Sequence, residues 1–405
     1  MTFSRQKKIM LLGGSRQQVV AIEAAKQAGF YTVLCDYLQD NPGQFVADKF
    51  YQVSTTDVEA LLKVAKEENI DGVLAYASDP AALPAAIVAD KLRLPTNSVQ
   101  CVEILGVKHK FRSFLKENGF AYPNYVSFSK DTDTSELKSK IETLRFPIVI
   151  KPTDSSGSKG VTKLATIRRL RQAVKAAGEY SRNGVLIAEE YIEYGFPEVI
   201  GGDIFVEDGE IRLFGEMSCI RDQNGTSLLP AGEKWPSGLS EEQTTAVHKE
   251  LIRLIKMLDV RFGEFNIEII IDKKNKVHFL ELGPRAGGNM IPIQLSDAFS
   301  VDLPMANVKV AMGEKACLTP SQPQGCYMTY VLHSAKKGKL ESIFFSELAQ
   351  EHIYRVVLYR QPGESIEVFD GAGKAIGIVF LHFQNRETLW NFVNLIGDHI
   401  NVVVS

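Results

Sequence analysis

Residues 8 to 106 alternate short apolar runs with amphipathic stretches: KIMLLGG, QQVVAIEAAKQAG, YTVLCD, DVEALLKVAKEEN, IDGVLAY and DPAALPAAIVADKLR. This is the βαβαβα rhythm of a parallel sheet covered by helices. From Lys108 the pattern changes to a basic helix that ends at Asn118-Gly119, then a strand, FPIVIKP, that runs into the small-residue loop Thr153 to Gly160. VLIAEEYIEYGFPEV reads as a strand followed by a hinge, and the next hairpin closes at Asp208-Gly209. The segment 218–240 has little periodicity, so a long loop is expected there. In the helix EEQTTAVHKELIRLIKMLD, residues Val247, Leu251, Leu254, Ile255 and Leu258 fall at core spacing. Residues 314–405 read as short strands and one helix, a small β-rich unit.

A further hairpin, GEFNIEIIIDKKNKVHFLELG, places two β-branched runs around Lys273-Lys274-Asn275-Lys276. With its turn centred on Lys274 and Asn275, paired residues have numbers that sum to 549, so Asp272 faces Val277 and Glu268 faces Glu281. Opposed side chains sit roughly 4.5 to 5.5 Å apart, where like charges repel. Mg²⁺ would relieve the repulsion, since it takes carboxylate oxygens and shares its other positions with phosphate and water. A solvated edge pair or one protonated glutamate is the plainer alternative.

The length of 405 residues implies two to four units at roughly 100 to 200 residues each. With 45% hydrophobic residues, 23% charged and a formal net charge of −3, the chain has no general attraction to nucleic acid or anionic membrane. The apolar run at the N-terminus is too short for a signal peptide and no run approaches the ~18 residues of a membrane span, so a cytoplasmic location is expected. Five scattered cysteines suggest neither a disulfide framework nor a zinc site.

Two loops invite a ligand. Gly13-Gly14-Ser15, with Asp36 ending the second strand, resembles part of a dinucleotide fingerprint but lacks its later glycines. Lys151 ends an apolar strand before the Ser- and Gly-rich loop, whose backbone N–H groups and flanking lysines suit a phosphate. No Walker A sequence and no G-x-S-x-G elbow occurs.

In order, VKHKFRSFLKENGFAYP, PIVIKPTDSSGSKGV, LIAEEYIEYGFPEV, GEFNIEIII and FLELGPRAGGN resemble the ATP-grasp superfamily of ADP-forming ligases. The resemblance implies an α/β fold: an N-terminal parallel α/β domain (1–106), a central two-subdomain ATP-grasp fold (107–313) and a small C-terminal β-rich domain (314–405). It implies ATP and Mg²⁺ (or Mn²⁺) as cofactors, with Lys110 and Lys151 on the ATP phosphates and Ser155, Ser156, Gly157, Ser158, Lys159 and Gly160 as a lid. Glu189, Glu190, Tyr191 and Ile192 would line the adenine, Glu198 the ribose, and Glu268 and Glu281 the metal. Gly283 stands where the family's asparagine ligand usually does, so water, phosphate or a neighbour such as Asn289 would complete the coordination. Arg285 resembles the arginine that meets the acyl phosphate or substrate carboxylate. The implied reaction joins a small-molecule carboxylate to an amine through an acyl phosphate, with no nucleic acid and no membrane, and leaves a homodimer open. A purine-pathway or carbamoyl-phosphate-like enzyme is the alternative within the superfamily. A nicotinamide-dependent oxidoreductase built on residues 8–106 is the alternative outside it.

Overall fold

The computed structural model describes residues 5–222 and 229–405. Near the N-terminus four parallel strands lie in the order Lys49–Gln52, Tyr31–Asp36, Lys8–Leu12, Gly72–Leu74. Ile9 to Leu12 are all buried, as a sheet covered on both faces requires. The edge strand Lys49–Gln52 is absent from the sequence reading because KFYQ is half exposed and offers no apolar run. The turn after the first strand is closed from within the chain. Asp36 accepts from Gly14 N–H (2.7 Å) and from Leu38 N–H (2.8 Å). Both of its oxygens therefore brace this turn.

A second, antiparallel sheet has the order Tyr125–Ser129, Val185–Glu190, Ile148–Pro152, Thr162–Leu164. The third is a single eight-stranded sheet that starts Val277–Gly283, Gly263–Ile271, Ile200–Glu207, Glu210–Arg221 and continues Pro230–Trp235, Cys326–Leu332, Gly377–Phe383, Ile353–Leu358. Three strands from beyond residue 314 thus extend the central sheet, while Ser365–Ile366, Gly338–Phe345 and Ile400–Val404 form a small sheet of their own. The helix Glu241–Met257 starts at a Ser240/Gln243 capping box and buries Val247, Leu251, Leu254 and Ile255, as its spacing predicts. Asp208 and Gly209 both have positive φ (54° and 77°), the geometry of a two-residue hairpin turn.

The expected loop at 218–240 is corrected in part. Residues up to Arg221 and Pro230–Trp235 are paired strands, and 223–228 lie outside the described residues. The second strand escaped notice because its buried positions include Glu233 and Lys234, polar residues that erase the alternation. Among the described residues no helix is long and apolar enough to cross a membrane.

Candidate functional site

A cleft of about 990 Å³, open to solvent, lies between the four-stranded sheet and the Gly263–Gly283 hairpin. Of the residues expected to bind, Lys151, Ser155, Gly157, Ser158, Lys159, Glu189, Glu190, Tyr191, Ile192, Glu268 and Glu281 line it.

The floor is the glutamate pair. Glu268 faces Glu281 as expected, but by a route the sequence does not reveal. Asn275, at φ 55°, makes a tighter turn than assumed, so Ile271 rather than Asp272 faces Val277. The register then shifts by one between Glu268 and Ile269, leaving Leu280 as the extra residue of a bulge. Burial, and then the charge of Glu281, pushes the Glu268 carboxyl up. Lys108 Nζ lies 2.5 Å from Glu281 Oε1 and offsets part of this charge.

The chemistry of this pair fits a hard divalent cation. Both carboxylate residues line the cleft, while Gly283 supplies no side-chain donor. Among the described residues no group of three or more His, Cys, Asp or Glu is placed to hold a metal alone. Such an ion would take its other ligands from phosphate and water, as Mg²⁺ commonly does. Asn289 does not complete the set. It is not part of the cleft lining, and its backbone N–H is held by Gln17 Oε1 at 2.7 Å.

The wall is Lys151 on the strand Ile148–Pro152. Its Nζ sits 2.7 Å from Glu189 Oε2, and Glu189 Oε1 lies 2.7 Å from Arg112 Nε. Burial pushes Lys151 down toward its neutral form, opposed by Glu189. Burial would raise Glu189, but Arg112 and Lys151 outweigh it and hold the carboxyl at about 2. At the hinge, Glu190 and Tyr191 N–H groups are spent on Asn124 and Pro147 carbonyls. Ile192, the next residue, lines the cleft.

Several expected placements are corrected. Lys110 turns away to Glu103 (2.7 Å), and Lys108 takes the position in the cleft, because residues two apart on a helix point to different sides. Ser156 and Gly160 flank the cleft without lining it. Ser156 reaches Asp79, and Gly160, at φ 72°, packs so close that a Cβ would lie 3.1 Å from Ala177 Cα. Glu198 also falls outside the lining, paired with the buried Lys234. Arg285 directs its fork at Asp79, with Nε to Oδ1 at 2.8 Å and Nη2 to Oδ2 at 2.7 Å, so its bidentate face is taken by a carboxylate of the N-terminal sheet region. Asp79 is 206 residues away in sequence, which no local pattern could signal.

The sequence reading missed Arg112, Lys163 and Arg221. Lys163 holds its ammonium 3.3 Å from the centre of the Tyr191 ring, at the hinge end of the cleft. Alternation along TKL was the available signal, since Lys163 pairs with Val149, which also lines the cleft.

The family described as D-ala D-ala ligase C-terminus matches residues 114–291. Formate-dependent phosphoribosylglycinamide formyltransferase of Prochlorococcus marinus (strain NATL1A) is 30% identical over 293 residues, covering 69% of this chain and 70% of the relative. Carbamoyl phosphate synthase large chain of Pseudothermotoga lettingae is 24% identical over 335 residues, 77% of this chain; the match spans 29% of that longer protein. Among solved structures, L-amino acid ligase from Bacillus licheniformis superposes with a TM-score of 0.80 at 19% identity, covering 99% of this chain and all (100%) of the other. Phosphoribosylglycinamide synthetase from Anaerococcus prevotii does so with 0.77 at 19%, with the same coverage of 99% and 100%.

Proposed function

Since this chain belongs to the ATP-grasp superfamily of ADP-forming ligases, we propose that it phosphorylates a small-molecule carboxylate with ATP and passes the acyl group to an amine. The observation that carries this reading is the cleft itself, which places two lysines and a small-residue loop over two opposed glutamates. ATP would lie with its adenine edge on Ile192 N–H and its phosphates under Ser155, Gly157, Ser158 and Lys159. Lys108 and Lys151 donate to phosphate oxygens. Each ammonium has three donors, so Lys151 can hold Glu189 and a phosphate together.

Glu268 and Glu281 would hold Mg²⁺, which when bound neutralises charge on the phosphoryl oxygens. The substrate carboxylate attacks the γ-phosphorus, the bond to the ADP oxygen breaks, and an acyl phosphate results. The amine then displaces inorganic phosphate. Lys108 and Lys151 are fixed before reaction, Lys151 by Glu189 and Lys108 by Glu281, and Lys108 also donates to Ser155 O at 2.5 Å. Preorganised charge of this kind stabilises the transition state without costly rearrangement. Arg285 acts here through its clamp on Asp79, holding the segment after Glu281 against the N-terminal sheet.

In this reading residues 1–106 shape the substrate side, 107–313 hold ATP and 314–405 brace the sheet. The reading includes a cytoplasmic location, in keeping with five cysteines that are all free. The formyltransferase relative, which by its name depends on formate, favours a carboxylate substrate.

Incubating the protein with ATP, Mg²⁺ and panels of carboxylate and amine pairs should give ADP and phosphate in amounts that require both partners. Formation of AMP and pyrophosphate would overturn the reading.

A further inference from the structure

Arg112 lies one turn beyond Lys108 on the helix Lys108–Glu117, and the four-residue spacing puts both cations on one face. It is completely buried. Besides its ion pair with Glu189, its Nη2 donates to the backbone carbonyl of Leu280 at 3.0 Å. One helix face thus touches the hinge strand through Glu189 and the glutamate hairpin through Leu280 and Glu281.

Leu280 is the residue on which the hairpin register turns. Between the turn and Ile269 the pairs run Ile271 with Val277 and Ile269 with Phe279; past the bulge they run Glu268 with Glu281 and Ile267 with Leu282. Continued without the extra residue, the first register would set Glu268 opposite Leu280 and Glu281 opposite Ile267. A one-residue slip sends side chains to the other face of a sheet. The bulge is therefore what brings Glu281 to the face on which Glu268 already lies, and the carbonyl of the bulged residue is the group that Arg112 holds.

Stability alone gives a weak reason for this arginine. Arg112, Lys151 and Glu189 together carry one excess positive charge, and Glu189 would keep Lys151 at 2.7 Å if Arg112 were replaced. Removing one member of a buried ion pair is costly because it leaves the other charge unpaired, and Lys151 prevents that here.

We propose that Arg112 is a positioning residue for the metal pair, its guanidinium pinning the Leu280 bulge so that Glu281 is aimed at Glu268. The inference rests on reading these glutamates as metal ligands. Groups that orient metal ligands from behind typically change metal affinity about 10- to 100-fold when removed.

The test is calorimetric titration of ADP, with and without Mg²⁺, into wild type, Arg112→Met and Arg112→Lys, with melting curves for each. The Met variant should melt within a few degrees of wild type and bind ADP alone almost unchanged. The tightening that Mg²⁺ confers should fall by about tenfold or more. The Lys variant keeps a charge beside Glu189 but loses the fork, and should show the same loss; it decides the matter if the Met variant does not fold. A folded variant in which Mg²⁺ tightens ADP as in wild type overturns the role of Arg112. Wild-type protein whose ADP affinity ignores Mg²⁺ overturns the metal reading itself, and this role with it.

Discussion

Glu281→Gln should lower ATP-dependent phosphate release by about 10²- to 10³-fold, the loss typical when one preorganised electrostatic group is removed from a transition state. The fold should survive. Replacing one of two opposed carboxylates relieves the repulsion that, after burial, raises Glu268, and glutamine can still accept from Lys108. Melting temperature should therefore stay within a few degrees of wild type. Phosphate release near the wild-type rate from the folded variant would remove Glu281 from the reaction. A collapse of the melting temperature would make the pair structural.

Lys151→Met should weaken ADP binding by about 30- to 150-fold, the value of a charge-assisted hydrogen bond at roughly 2 to 3 kcal/mol. Here too the fold should hold, because Glu189 keeps Arg112 at 2.7 Å. The double variant Lys151→Met/Arg112→Met strips Glu189 of both cations, and leaving a buried carboxylate unpaired costs about 3 to 5 kcal/mol. Thermal unfolding of the single and double variants separates the two effects. In the wild type the carboxyl is held at about 2, below its ordinary value. Its contribution to stability is therefore present above the usual glutamate range and is lost as pH falls through that range toward about 2. Equal ADP affinity in Lys151→Met and wild type would take the lysine out of the nucleotide site.

The parts of this site that were legible in the sequence are those set by local pattern. Two β-branched runs around a lysine-rich turn announce the hairpin, and an apolar strand ending in Lys151 before small residues announces the loop that borders the cleft. The opposition of Glu268 and Glu281 was anticipated from a turn assumed one position too wide, and the Leu280 bulge compensates for that difference. A bulge leaves little mark on composition, since LEL in a bulge and LEL in a regular strand look alike. The choice between Lys108 and Lys110 depends on how the helix is rotated against Leu280 and Glu189, which only tertiary packing determines. Arg285 illustrates the same limit. Its glycine-proline approach points to a shaped turn, but Asp79 is brought to it by the parallel sheet near the N-terminus. Nothing in KHKFRSFLKE sets Arg112 apart from the other basic residues, and its burial follows from two partners on distant strands.

The central claim is that the cleft holds a nucleotide whose phosphates meet a cation on Glu268 and Glu281. Titrating wild-type protein with ADP at zero and at saturating Mg²⁺ tests it most directly. One site per chain is predicted, with Mg²⁺ tightening it, and with Glu281→Gln abolishing the tightening while leaving weak binding of ADP alone. Binding that is absent, or identical with and without Mg²⁺, would contradict the account.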